Sequence, residues 1–207
     1  MTGKIISLVG CPAAGKTFLA DKLSDYYGAE MIYEKPDDDF PQEITNNLAT
    51  QSNLFETIVW FRNQQIKNYE RAMDLKEMGK DAILDTPFYQ NQLFVELYVA
   101  DEFKKRVLYD MGKIDRNKYH YPDCTIYISA TSEEIKSFLK KRKNQRYWEN
   151  NKWIDFIVKM ASLTEDYMDS IKDEIPNLIK IKRNEYDFCI PEHFEYVVSK
   201  INLLLKY

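Results

Sequence analysis

Cysteine and histidine are scarce in this 207-residue chain, at three and two residues respectively. Cys11, Cys124 and Cys189 are scattered, with no Cys-x-x-Cys spacing, which excludes a disulfide framework and a thiolate metal site. Reduced thiols in a cytoplasmic protein are the simple reading. His120 and His193 are too few for a histidine-rich metal centre. No apolar run approaches the roughly 20 residues that cross a bilayer. Met1 to Lys4 lead directly into a strand-like segment, which leaves no room for a secretory leader. No membrane partner is therefore expected. An excess of basic charge is lacking too: 29 Lys and Arg against 33 Asp and Glu give a net charge of −4. That balance offers no electrostatic case for binding a nucleic-acid polymer. Internal repeats and low-complexity linkers are missing. The composition is that of a soluble globular chain, 44% hydrophobic and 30% charged, and suggests a single domain over residues 1–207 with a sizeable core.

What is present is more specific. Gly10-Cys11-Pro12-Ala13-Ala14-Gly15-Lys16-Thr17 fits G-x-x-x-x-G-K-[ST], the phosphate-binding P-loop. Successive backbone N–H groups at a helix start cradle anionic oxygens. Lys16 adds a positive charge for the β- and γ-phosphates, and the Thr17 hydroxyl suits the Mg²⁺ that accompanies ATP. Lys4 to Val9 read as a strand before the loop. Thr17 to Leu23 read as a helix after it, with Phe18, Leu19 and Leu23 as the buried face. The loop amides could lower the Cys11 pKa, although an inert small side chain is the simpler reading.

Strand-like and helix-like segments alternate along the rest of the chain, the pattern of an α/β fold with a parallel sheet. Further strands are expected at Glu30–Tyr33, Asp81–Asp85, Thr125–Ile128 and Leu178–Ile181. Helices are expected from about Ser52 to Met78, stopped by Gly79, and from about Gln90 to Met111, stopped by Gly112. Thr131 and Glu134 form a capping box ahead of Ile135, Phe138 and Leu139. Trp153, Phe156, Ile157 and Met160 mark another helix, and Pro191 to Leu205 a last one, which holds His193 in a packing or surface role. The expected architecture is a three-layer P-loop fold: a five-stranded parallel sheet flanked by helices, with ligands at the C-terminal strand ends.

Glu34 and Asp85 close the second and third strands at the same edge as the P-loop. A carboxylate there can serve Mg²⁺ or take the proton of an attacking hydroxyl. Helical spacing puts Glu56, Trp60 and Asn63 on one stripe, with Gln64 beside it, where they could stack on and read a base or simply form a helix face. The basic segment from Lys140 to Arg146 ends a helix where P-loop kinases carry a lid, expected over residues 140–150. Arg142 and Arg146 are its best phosphate-binding residues, because guanidinium binds phosphate oxygens bidentately.

With these residues in view the chain resembles the deoxynucleoside kinases, P-loop kinases related to thymidylate kinase. Glu34-Lys35-Pro36 is similar to the family's Glu-Pro segment, whose Glu acts as base on the sugar 5′-hydroxyl. Phe55-Glu56-Thr57 falls at the family's Phe-Gln pair, whose Gln binds the base. Tyr121 to Ile128 is similar to its P-D-L-x-I-Y-L strand. Lys140-Lys141-Arg142 and Arg146 to Glu149 are similar to its lid. Asn184 to Phe188 is similar to its N-x-D-F loop, which implies adenine contacts at Asp187 and Phe188. The resemblance implies ATP and Mg²⁺ as cofactors, a small-molecule acceptor that is a nucleoside or nucleotide, a homodimer built through long helices, and metal ligation by Thr17 with Asp85.

Two departures stand out. The family's Asp/Glu-Arg-Ser is here Asp85-Thr86-Pro87, so an arginine that serves the acceptor is absent, with Arg62 or a lid residue as substitute. Glu56 in place of Gln exchanges a donor-and-acceptor amide for a group that only accepts. The expected activity is ATP-dependent phosphorylation of a (deoxy)nucleoside 5′-hydroxyl. Two alternatives stay open: a nucleoside monophosphate or other small-molecule kinase, in which Lys35, Arg62 and Arg183 converge on a second phosphate, and an ATP-binding switch module.

Overall fold

A strand that is apolar on both faces must be covered on both faces, and Ile5–Gly10 (β1) is buried along its whole length. In the computed structural model, which describes residues 2–141 and 151–206, β1 is the central strand of a five-stranded sheet. The others are β2 (Glu30–Ile32), β3 (Ala82–Leu84), β4 (Cys124–Ser129) and β5 (Leu178–Lys182), in the order β2-β3-β1-β4-β5 with every pair parallel. The helices are α1 (Lys16–Tyr27), α2 (Gln42–Thr50), α3 (Leu54–Glu77), α4 (Asn91–Tyr98), α5 (Glu102–Lys118), α6 (Ser132–Lys141), α7 (Asn151–Ile171) and α8 (Pro191–Leu205).

Period-two alternation divides the strands between two cores. Ile6, Leu8, Ile83 and Ile126 face Leu19 and Leu23 of α1 and Val197 and Ile201 of α8. Ile5, Val9, Leu84 and Tyr127 face Tyr69 and Ala72 of α3 and Met168 of α7. The expected five-stranded parallel sheet with helices on both faces is therefore the observed one.

Several local expectations need correction. The helix expected over Gln90–Met111 is two helices. Val99 is extended, and the Asp101 side chain caps α5 by accepting from the Lys104 N–H at 2.9 Å. Gly112 is not a stop but lies inside α5, where a Cβ would meet Gln92 Nε2 at 2.4 Å; glycine lets α4 approach. Tyr33 lies beyond β2, and α2 has no expected counterpart. Phe18 is 47% exposed, so Leu19, Ala20 and Leu23 form the buried face of α1. Arg142 and Arg146, with most of the expected lid, lie outside the described residues.

The fold sets the reactivity of the three thiols. Cys11 and Cys124 are buried in the α1-side core, while Cys189 is exposed. Burial pushes the Cys11 thiol up to about 11, outweighing the opposing charge of Lys16, and pushes Cys124 up to about 12. Thiolate is the reactive form. At pH 8 a disulfide reagent should therefore titrate one thiol rapidly in the native protein and all three in denaturant. Cys189→Ser should remove the rapid phase. A second rapid equivalent in the native protein would contradict this burial.

Candidate active site

The phosphate loop takes the shape its residues allow. Ala13 (φ 69°) and Gly15 (φ 95°) both adopt left-handed backbone, the alternation that turns successive N–H groups toward one point. Glycine tolerates this at Gly15, where α1 begins. No side chain caps that helix start, so its N–H groups stay available to a ligand. Lys16 Nζ lies back on the loop, donating to the carbonyl of Gly10 at 3.0 Å and that of Cys11 at 3.5 Å.

The end of β3 joins this loop to the rest of the site. Asp85 shares the facing of Ile83, toward α1, and its Oδ2 accepts from the Thr17 hydroxyl at 3.0 Å. Asp85 Oδ1 is buried without a hydrogen-bond partner. Thr86 shares the facing of Leu84, toward α3, and its hydroxyl donates to Glu34 Oε2 at 3.2 Å. The pairing explains the geometry. Ile32 lies opposite Leu84, and the Asp85 N–H donates to the Ile32 carbonyl at 3.1 Å, so the segments leaving β2 and β3 stay side by side and bring Glu34 within reach of Thr86. Adjacent residues thus reach the phosphate loop on one face of the sheet and Glu34 on the other.

Glu34 and Thr86 line a cleft with Lys35, Phe40 and the α3 residues Trp60, Phe61, Gln64, Gln65 and Asn68. Phe40, Trp60 and Phe61 pack edge to face, with centroids 5.0–5.3 Å apart. Lys35 Nζ stands 5.9 Å above the Trp60 ring. Gln65 is the unusual member. It occupies the buried stripe of α3 between Ile58 and Tyr69, is 2% exposed, and neither its Nε2 nor its Oε1 has a hydrogen-bond partner. Burying an amide in this way costs about 1–3 kcal/mol per unpaired group.

The expected base-reading stripe is only partly in this cleft. Trp60 lines its edge, while Glu56 and Asn63 are exposed. At 3.6 residues per turn these two fall roughly 40–60° to the far side of Trp60, whereas Gln64, Asn68, Phe61 and Gln65 fall on the near side. Arg62 points away from the cleft and forms a two-pronged ion pair with Asp115 of α5. The structure thus brings Glu34 and Trp60 together but not Glu56, Asn63 or Arg62. Sequence reasoning missed Gln65 and Thr86. The visible signal for Gln65 was an amide at a core position of the Ile58–Tyr69–Ala72 stripe.

On the other flank of the loop, Arg183 follows β5. Its guanidinium lies 5.1 Å from the Phe138 ring and 4.8 Å from the Phe188 ring, and its Nε is 3.7 Å from where a Gly15 Cβ would stand. Phe188 is fully buried, an anchor rather than a ligand surface. Lys22 Nζ holds the Phe188 carbonyl at 2.8 Å. Asp187 accepts from the Cys189 N–H at 3.0 Å and from Arg183, and the Cys189 N–H with the Arg183 charge holds its carboxyl below the usual range. His193 Nδ1 accepts from the Asp187 N–H at 2.9 Å, a structural role.

No protein-family model matches the chain. Among curated proteins it is 25% identical over 213 aligned positions to a deoxyguanosine kinase of Bacillus subtilis, covering 99% of both chains. It is also 25% identical over 147 positions to a deoxyguanosine kinase of Lactobacillus acidophilus, covering 67% of this chain and 62% of that one. Among solved structures it superposes on a deoxyadenosine kinase from M. mycoides with bound dATP at a TM-score of 0.78. That match has 16% identity and covers 96% of this chain and 99% of the other. The same kinase with dCMP and dCDP bound gives a TM-score of 0.78 as well, also at 16% identity. The resemblance to the deoxynucleoside kinase family is borne out along the whole chain in one comparison and by the fold in the other.

Proposed function

We propose that the protein transfers the γ-phosphoryl group of ATP to the 5′-hydroxyl of a deoxynucleoside. The observation that carries this reading is the cleft. It holds a carboxylate, an aromatic wall and a buried, unpaired amide, and it is joined to a phosphate loop through Asp85 and Thr86. The N–H groups of Gly10 to Thr17 and Lys16 hold the triphosphate, with the Arg183–Asp187 turn beside its base. The acceptor base lies against Phe40, Trp60 and Phe61, and Gln65 offers it a donor and an acceptor together. Such a site rejects analogues that leave its polar atoms unpaired. Glu34 takes the proton of the acceptor hydroxyl as that oxygen bonds to the γ-phosphorus. The bond to the bridging oxygen breaks and ADP leaves. Arg142 and Arg146 are proposed to neutralise the transferring group.

Thr17 and Asp85 suit Mg²⁺: both are oxygen donors, and the buried Asp85 Oδ1 lacks any other partner. Bound there, the ion would neutralise charge on the phosphate oxygens. A deoxynucleoside fits the cleft better than a monophosphate, because Lys35 is its one cation among the described residues. Arg62 is committed to Asp115.

Three variants test the reading by ADP release across a nucleoside and nucleotide panel. Lys16→Ala should abolish turnover. Glu34→Gln should leave ATP binding intact and lower kcat at least ~100-fold, the scale of a general base; unchanged kcat would remove Glu34 from that role. Gln65→Leu should behave differently. It should hold or raise the melting temperature, since a buried unpaired amide is removed. It should also raise the KM for the deoxynucleoside about tenfold or more, the scale of one lost hydrogen bond. An unchanged KM would remove Gln65 from recognition.

A further inference from the structure

We infer that Thr86 is a positioning residue of Glu34, a role that rests on the proposed phosphoryl transfer. Four observations converge on it. Thr86 is 4% exposed, so its hydroxyl cannot rely on solvent. The bond it donates ends on Glu34 Oε2 at 3.2 Å. The β2–β3 pairing runs to Ile32 and Leu84, and the Asp85 N–H donates to the Ile32 carbonyl at 3.1 Å, so the backbone brings the two segments together just before Glu34 and Thr86. The preceding residue, Asp85, is fixed by Thr17, and the following residue, Pro87, has its φ restricted by its ring.

A glutamate carboxylate on three rotatable bonds can present either oxygen in many directions. Tying one oxygen sets the direction of the other, and proton transfer needs that direction within hydrogen-bond reach of the acceptor. A hydroxyl donating to Glu34 orients the carboxylate without adding a charge to the cleft. The β-methyl of threonine adds stiffness at χ1 that serine lacks, so the hydroxyl is held in place.

The test compares Thr86→Val and Thr86→Ser in the full chain, with steady-state kinetics for ATP and for the best deoxynucleoside of the panel. Val keeps the shape and deletes the donor; Ser keeps the donor. A hydrogen bond to a charged group corresponds to roughly 10- to 100-fold. Thr86→Val should therefore lower kcat at least tenfold, with the KM for ATP and the melting temperature little changed. Thr86→Ser should recover most of that loss. Full kcat in Thr86→Val, alongside a disabled Glu34→Gln, would overturn the inference and leave the kinase reading standing. Equal losses in Val and Ser would also overturn it, by marking a packing role. Full activity in Glu34→Gln itself would instead overturn the reading on which it rests.

Discussion

The parallel pairing of β3 with both β1 and β2 is the constraint on which the site depends. It aligns three strand ends, so that Gly10, Asp85 and Glu34 leave the sheet at one edge. Alternation then does the sorting. Asp85 turns to the face covered by α1, whose first residues follow the phosphate loop, and Thr86 turns to the face covered by α3, whose side chains wall the cleft. A shift of one residue in the β3 register would exchange the two and send each side chain to the wrong layer. Hydrogen bonding between strands therefore carries the functional geometry, and the side chains need little freedom of their own.

Polar groups within this frame fall into two kinds. Beneath the loop, Ser7 and Thr125 hydroxyls lie 3.1 Å apart, and the Tyr89 hydroxyl is 2.8 Å from Thr125. Tyr167 donates to the Tyr89 carbonyl at 2.6 Å. These groups satisfy one another and tie β1, β4, α7 and the turn after Pro87 into one unit. Such a closed network rigidifies the floor of the site. By contrast, Gln65 and Asp85 Oδ1 are buried without partners. Natural folds pair almost all such groups, and in the proposed reaction the orphans at the cleft and beside Thr17 are the ones a ligand would pair.

The strand pattern and the phosphate loop were legible in the sequence because both rest on local rules: short apolar runs, a fixed glycine spacing and a capping box at Thr131 and Glu134. The placement of Glu34 and Asp85 was legible because both follow parallel strands that end at the edge where the phosphate loop begins. The break between α4 and α5 was not, since Gly112 reads as a stop until Gln92 is placed against it. Nor was the face of α3 that lines the cleft. Trp60 sits on the boundary of the buried arc, so the stripe could be drawn to either side of it, and only packing against β3 decides. Arg62 is a similar case. Its charge suggested a phosphate, but Asp115, 53 residues away, claims it.

Gly10 shows how the site can change partners without losing them. Its carbonyl accepts from Lys16 Nζ at 3.0 Å and from the buried Gln90 Nε2 at 3.4 Å. In the proposed reaction Lys16 turns outward to the triphosphate and gives up its carbonyl partners. A buried carbonyl left bare at that moment would oppose the movement. Gln90 keeps Gly10 satisfied, so the lysine exchanges neutral carbonyls for anionic oxygens, and charge-assisted bonds are the stronger ones. The turn that carries Gln90 begins at Pro87, directly after Thr86. The segment proposed to orient Glu34 thereby also supports the phosphate loop.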